Sequence, residues 1–231
     1  EKSLILPDTT NGNRVGVLSA GIYDDQIFGG NPEASASSKG WFVESKYDGL
    51  FHDWGFYNQE FKKYKTTAWD GVSSIVYDDL EEDYQIFTVT GDIADFTVSP
   101  TGVEKMIFLV NGNVNINSNI TVPTGAFMIL IASGDITFGA LTTSVDGWYV
   151  GKNIKVPCKD IAPADDICDK TDAQFVGHGS FIAWKNVSLL RDMGAANGTT
   201  PAEKFAYRKD LFLNAPDPLK KLTKVFRQFV P

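Results

Sequence analysis

The sequence predicts an all-β chain, a short parallel β-helix (β-solenoid) carrying an N-terminal capping helix and a short helical C-terminal segment. Three observations predict it. Two apolar runs, residues 106–110 and 126–132, each lead into a Gly-Asn/Asp-apolar step, Gly112-Asn113-Val114 and Gly134-Asp135-Ile136, 22 residues apart. Looser echoes follow the same scheme at Gly91-Asp92-Ile93, Lys152-Asn153-Ile154 and Gly179-Ser180-Phe181, so successive steps lie 21, 22, 18 and 27 residues apart, the range of one solenoid coil. After each of the two central glycines apolar and polar residues alternate: Val114 and Ile116 against Asn113, Asn115 and Asn117, then Ile136 and Phe138 against Asp135 and Thr137. Period two marks a strand with one buried face.

The remaining features fit that frame. The runs before each glycine are continuously apolar, as expected of strands covered on both sides. The glycines are expected to allow positive φ at a corner, where Asn or Asp tolerates the same region. Val114, Ile116, Phe127, Ile129, Ile131, Ile136 and Phe138 are the expected core. The alternative architecture is an antiparallel sandwich, but two-residue hairpin loops between matched strands are few.

In chain order, residues 7–13 are turn material before a short strand at 14–19, and residues 27–39 are loop-like. Tyr47, Leu50, Phe51, Trp54, Tyr57, Phe61 and Tyr64 then recur at three- and four-residue spacing, a helix with one aromatic face weakened by Gly49 and Gly55. Such a stripe invites a sugar-binding reading, but covering the first edge of the solenoid is the simpler use. Strands are expected at 84–89 and 96–98, then through the central coils, with further rungs at 144–150, 175–184 and 187–190. Thr200-Pro201-Ala202-Glu203 reads as a capping box and a helix start, and Asp217-Pro218 repeats the cap-plus-proline combination. Beyond it Leu219, Leu222, Val225, Phe226 and Phe229 share a face, with Lys220, Lys221, Lys224 and Arg227 elsewhere, and this segment is expected to cover the other end. The expected organisation is therefore residues 1–70 for the N-terminal strand, loop and helix, 71–198 for the solenoid and 199–231 for the C-terminal cap.

Composition narrows the function. With 231 residues and 43 % apolar content, a sizeable core is available. A net charge of −8 argues against nucleic acid, which rewards clustered cations. No apolar run approaches the roughly 18 residues of a membrane helix. The chain opens Glu1-Lys2-Ser3 without an initiator Met or signal peptide, and reads as part of something longer. Cys158 and Cys168 flank a polar segment, an arrangement suited to a disulfide closing an insertion between coils; a pair of reduced thiols is the other reading. The sequons at Asn119, Asn186 and Asn197 do not discriminate if the source is bacterial.

No catalytic constellation stands out. Asp78, Asp79, Glu81, Glu82 and Asp83 form the one candidate Ca²⁺ site, but the EF-hand pattern is missing and a solvated turn is simpler. Polysaccharide-cleaving solenoids need carboxylate pairs or an Arg or Lys base on a long groove, whereas Asp92 and Asp135 are isolated. Ser180 beside His178 and Gly179 lacks the G-x-S-x-G elbow. His52 and His178 are the only histidines, too few to complete a two-cysteine zinc site. Arg191 and Asp192 are expected to pair near the last coil.

The segments FLVNGNVNINSNITVPTGAFMILIASGDITF, VDGWYVG, GHGSFIAWKNVSLLRD and TTPAEKFAYRKDLFLNAPDPLKK, with SSKGW and WDGV upstream, together resemble a recurring module. That module occurs in uncharacterised surface proteins of candidate-phyla (Patescibacteria-type) bacteria, some of them PilX-like and pilus-associated. The resemblance covers roughly residues 35–225. It implies export, a right-handed parallel β-helix and a place within a larger cell-surface protein, and brings no catalytic residues with it. The expected function is a non-catalytic, extracellular structural or adhesive module at the cell surface, without cofactor, whose partners are other segments or subunits of a surface assembly. The alternative is a carbohydrate-binding or polysaccharide-cleaving β-helix, with glycans as partners.

Overall fold

The structure, a computed structural model, describes residues 53–75, 83–159 and 171–222. All of them lie in one compact unit, Phe51–Pro231. The element order is α1 (Trp54–Phe61), β1 (Thr67–Ala68), β2 (Gln85–Thr90), β3 (Lys105–Asn111), β4 (Val114–Ile116), β5 (Phe127–Ala132), β6 (Asp135–Phe138), β7 (Ser144–Val156), β8 (Phe175–Leu189), a 3-10 helix (Gly194–Gly198), β9 (Glu203–Ala206), α2 (Lys209–Asn214) and α3 (Asp217–Leu222). The chain is mostly β, and its nine strands form one open, entirely parallel sheet with a solenoid-like arrangement.

Pairing runs in three columns. The first stacks β1, β2, β3, β5 and the middles of β7 and β8, with Phe87 beside Phe108, Phe108 beside Leu130, Leu130 beside Tyr149 and Tyr149 beside Phe181. The second stacks Ile93, Val114, Ile136, Ile154 and Val187. The third stacks Ile120, Val145, Gly177 and Phe205. β7 and β8 each pass through all three columns, which is why they are so long.

The expected core is in place: Val114, Ile116, Phe127, Ile131, Ile136 and Phe138 are fully buried and Ile129 nearly so. β5 is buried at every position, as its unbroken apolar run requires. Its outer side is closed by helices, since α1 and α2 both contact β5 and Phe61, Leu211, Ala215 and Leu219 belong to the same apolar cluster. Rings pack through the interior, with Phe138 5.1 Å from both Tyr149 and Phe175, and Tyr149 stacked on Phe181 at 5.2 Å.

Five expectations need correcting. The aromatic helix is shorter than its stripe: Tyr47, Leu50 and Phe51 lie outside the described residues, Asp53 caps the helix by accepting from the Phe56 N–H at 3.1 Å, and Tyr64 lies beyond its end. It is also not an end cap, because it packs on β5 in the middle of the first column. Thr200-Pro201-Ala202-Glu203 starts no helix; Glu203 opens β9, and Phe175 N donates to the Ala202 carbonyl at 2.8 Å. The Glu203 carboxylate accepts from the Arg191 N–H at 2.7 Å, so tertiary pairing has taken the group that a capping box would use. Gly112 and Gly134 do not have positive φ, whereas Gly91 does at +105°. They are glycines because of close approach: a Cβ on Gly112 would run into the Gly91 carbonyl, and one on Gly134 into the Asn113 side-chain oxygen. Residues 96–98 form no strand; Ile93 makes the bridge to Val114 instead. The fifth step, expected at Gly179-Ser180-Phe181, belongs to another column, since Gly179 stands beside Gly147 and the partner of Asn153 is Asn186. The 157–174 excursion between β7 and β8 hides that step from a count of spacings.

Candidate functional site

The second column offers a polar ladder on its outside and an unfinished apolar column within. Asp92 Oδ1 accepts from Asn113 N at 2.7 Å, and Asn113 Oδ1 accepts from Asp135 N at 2.9 Å. Asn153 Nδ2 donates to Asp135 Oδ1 at 2.6 Å, and Lys155 Nζ lies 2.6 Å from Asp135 Oδ2. Burial alone would raise the Asp135 pKa, but the bonds from Lys155 and Asn153 and the charges of Lys155 and Lys152 outweigh it and hold the group below its ordinary value. Asp92 is likewise held low, by the backbone and side-chain N–H groups of Asn113. These carboxylates are consumed in joining one rung to the next.

Inside the same column Ile93 is 3 % exposed, Val114, Ile136 and Ile154 are fully buried, and Val187 is 47 % exposed. Leu189, beside the fully buried Val156, is 42 % exposed. β9 pairs with β8 only from Phe175 to His178, so among the described residues no strand follows Asn186–Leu189. Ile182 and Leu190 add to this exposed apolar end.

The opposite end is plugged by the loop after β1. Asp70 Oδ1 accepts from the N–H groups of Val72 and Ser73 and from the Ser73 hydroxyl, which tightens the loop. Gly71, at φ +82°, sits against Ile93, while the Trp69 ring lies 6.0 Å from Phe96 and 5.6 Å from Phe108. A cavity of about 420 Å³ lies beside this loop, lined by Trp69, Val72, Ile75, Val98, Glu104 and Met106 among others.

Two ionic clusters tie the later rungs together. Asp146 Oδ1 lies 3.0 Å from His178 Nδ1, and its Oδ2 accepts from Val122 N at 3.1 Å and pairs with Arg208 at 3.1 Å. Arg208 also pairs with Asp210 and donates to the Val122 carbonyl at 2.7 Å. Both oxygens of Asp146 are therefore occupied, and the cluster fastens the segment before α2 to the body. Arg191 is buried, and its guanidinium donates to the carbonyls of Gly139, Ala140 and Thr142. It does not pair with Asp192 as expected; Asp192 accepts from Gly194 N at 2.8 Å and Asn197 Nδ2 at 2.7 Å. A side chain long enough to reach 50 residues back finds three carbonyls there, a donor set no sequence spacing reveals.

Of the candidate Ca²⁺ ligands, Asp78, Asp79, Glu81 and Glu82 lie outside the described residues, and Asp83 is exposed and paired with Lys105. Among the described residues no cluster of three or more His, Cys, Asp or Glu could hold a metal. Cys158 is buried just after β7; Cys168, His52 and the expected strand at 14–19 lie outside the described residues. No helix among the described residues is long and apolar enough to cross a membrane. Asn119 Oδ1 accepts from the N–H groups of Thr143 and Ser144, whereas Asn186 is exposed on the last rung. The sequence reading takes Asn186 only as a sequon and misses its place on the last rung and the ionic roles of Asp146 and Arg208, although Asn186-Val187-Ser188-Leu189 visibly repeats the order of Asn113-Val114-Asn115-Ile116. In comparisons with known proteins the chain matches no family model, no curated protein and no solved structure.

Proposed function

We propose that the chain is a short right-handed parallel β-helix serving as a non-catalytic structural or adhesive module of an extracellular bacterial surface or filament protein. The observation that carries this reading is the fate of the polar side chains: Asp92, Asn113, Asp135 and Asn153 bond to one another across rungs, over an apolar interior. Groups spent in that way hold coils in register and do not converge on a substrate. Support for the helical winding comes from β7 and β8, each of which crosses all three columns, and its right hand follows the sense that nearly all parallel crossovers take. The resemblance to PilX-like surface modules supports the location and the place in a larger assembly, and a disulfide between Cys158 and Cys168 would accord with an oxidising compartment.

Three experiments test the reading. Brief protease treatment of intact source cells should remove the protein from the surface while sparing cytosolic markers, and full protection would overturn the location. A glycan array and a panel of polysaccharide hydrolysis assays should both stay blank; a specific hit on either would favour the carbohydrate-active alternative. Labelling the non-reduced protein should find no reactive thiol at Cys158 or Cys168.

A further inference from the structure

The last stretch of the second column, Asn186–Leu189 at the end of β8, repeats the polar-apolar order of the strand that receives a neighbour in the middle of the stack. Asn113-Val114-Asn115-Ile116 carries Gly134-Asp135-Ile136-Thr137-Phe138 on its downstream side. The seat is defined by named contacts: Gly134 N donates to the Gly112 carbonyl at 2.9 Å, Asp135 N to Asn113 Oδ1 at 2.9 Å, and Gly139 N to the Ile116 carbonyl at 2.7 Å. Only glycine fits before the aspartate, because a Cβ there would meet the Asn113 side chain. Asn186-Val187-Ser188-Leu189 presents the same side-chain order at the downstream edge of β8, with Val187 and Leu189 almost half exposed. Asn113 and Asn115 exchange bonds with the preceding rung through Ile93 and Phe96, which leaves Val114 and Ile116 facing the following one. By the same parity, the backbone groups of Val187 and Leu189 face the open side.

Charge and chain path narrow the occupant. Residues 175–190 contain Lys185 and no Asp or Glu, in a chain of net charge −8, so an aspartate of an added strand would lie near an exposed lysine. The chain's own C-terminal segment heads away: Leu211 packs by Gly179, Phe212 lies 6.4 Å from Trp148, and Asn214 reaches the Ala126 carbonyl at 3.5 Å, one rung further back each time. A second copy could offer Gly91-Asp92-Ile93, but its β1 stands beside β2 in the adjoining column and would have to move.

We infer that Asn186–Leu189 is a docking edge for an extended Gly-Asp-apolar-polar-apolar strand of another polypeptide, added in parallel. This holds whether or not the chain is exported. The probe is the synthetic peptide SGDITFGA, which copies residues 133–140, titrated on the order of 1 mM into the isotope-labelled full chain and followed by amide NMR shifts. Saturable shifts should centre on Val187 and Leu189, and a peptide with valine in place of the glycine before the aspartate should leave them unmoved. Asn186→Ala removes the acceptor for the peptide's aspartate N–H and should weaken binding about fivefold, within the range of one hydrogen bond. Lys185→Glu should weaken it by repelling the aspartate. No shift, shifts centred elsewhere, or equal binding by both protein variants would overturn the proposal. Concentration-dependent self-association that broadens the same amides without peptide would overturn the assignment to another polypeptide, in favour of a second copy.

Discussion

The two ends of the stack are built from the same strand pattern and finished differently. At the first end Gly71 sits against Ile93, the Trp69 ring packs on Phe96 and Phe108, and the outward Asp92 is engaged by Asn113. At the last end Val187 occupies the same column as Ile93 and stands open, in a stretch whose only full charge is Lys185. The difference teaches that a repeat does not cap itself. An inward position is buried by the rung that follows it, so its burial belongs to the neighbour as much as to the residue. Natural parallel stacks are closed at such edges by added segments, and here one end has its plug within the described residues.

Four experiments would break or sharpen this contrast. The largest effect is expected mid-column: Ile136→Ala should cost about 2–5 kcal/mol in chemical denaturation, as large-to-small changes in a closed core do. A loss under about 1 kcal/mol would mean that the column is not the core. Trp69→Ala should cost about 1–3 kcal/mol, less than a fully buried ring because the indole is only half-buried, and should broaden amide signals around Phe96 and Phe108. If those signals stay sharp, the loop is no plug.

The third concerns acid. Asp135 has a folded pKa below its unfolded value, so its contribution to stability is complete above about pH 4 and is lost as pH falls through the lower folded value. Asp135→Asn should flatten the acid limb of a plot of stability against pH, and an unchanged limb would deny the ladder any energetic part. The smallest effect is expected at the open end. Val187→Ala should cost less than about 1 kcal/mol, because its transfer from water is incomplete. A cost equal to that of Ile136→Ala would show that the end is covered in solution.

Much of this was legible in the sequence because the solenoid is local in character. The period-two alternation of Val114 and Ile116, and the 22-residue return to Ile136, are set by strand geometry and by stacking with the next coil. What could not be read was where segments outside the repeat dock. The aromatic stripe of α1 has one apolar face, and periodicity does not say whether that face meets the end of a stack or β5. Glu203 obeys the local rule for a helix start, yet the Arg191 N–H claims its carboxylate through a contact that only the fold creates. The excursion before β8 moved the fifth step by a whole column. The candidate docking edge was half visible, since the repeated Asn-Val-polar-apolar motif is written in the chain, but its exposure depends on what fails to follow it.

The lateral attachment of α2 also decides how the protein carries load. Tension applied to the chain beyond Leu222 does not reach the last strand directly. It first meets the buried Leu219 and Ala215 and the Asn214 contact with Ala126, then Phe212 beside Trp148, Leu211 at the level of β8 and the Arg208 cluster on Asp146 and Val122, contacts spread over three successive rungs. These must give way before β9 can be drawn from β8, and β9 must leave before β8 can be peeled. The exposed end is thus reached by such a pull only after α2 and β9 have let go, so an edge left open for a neighbour is shielded from the first of the force.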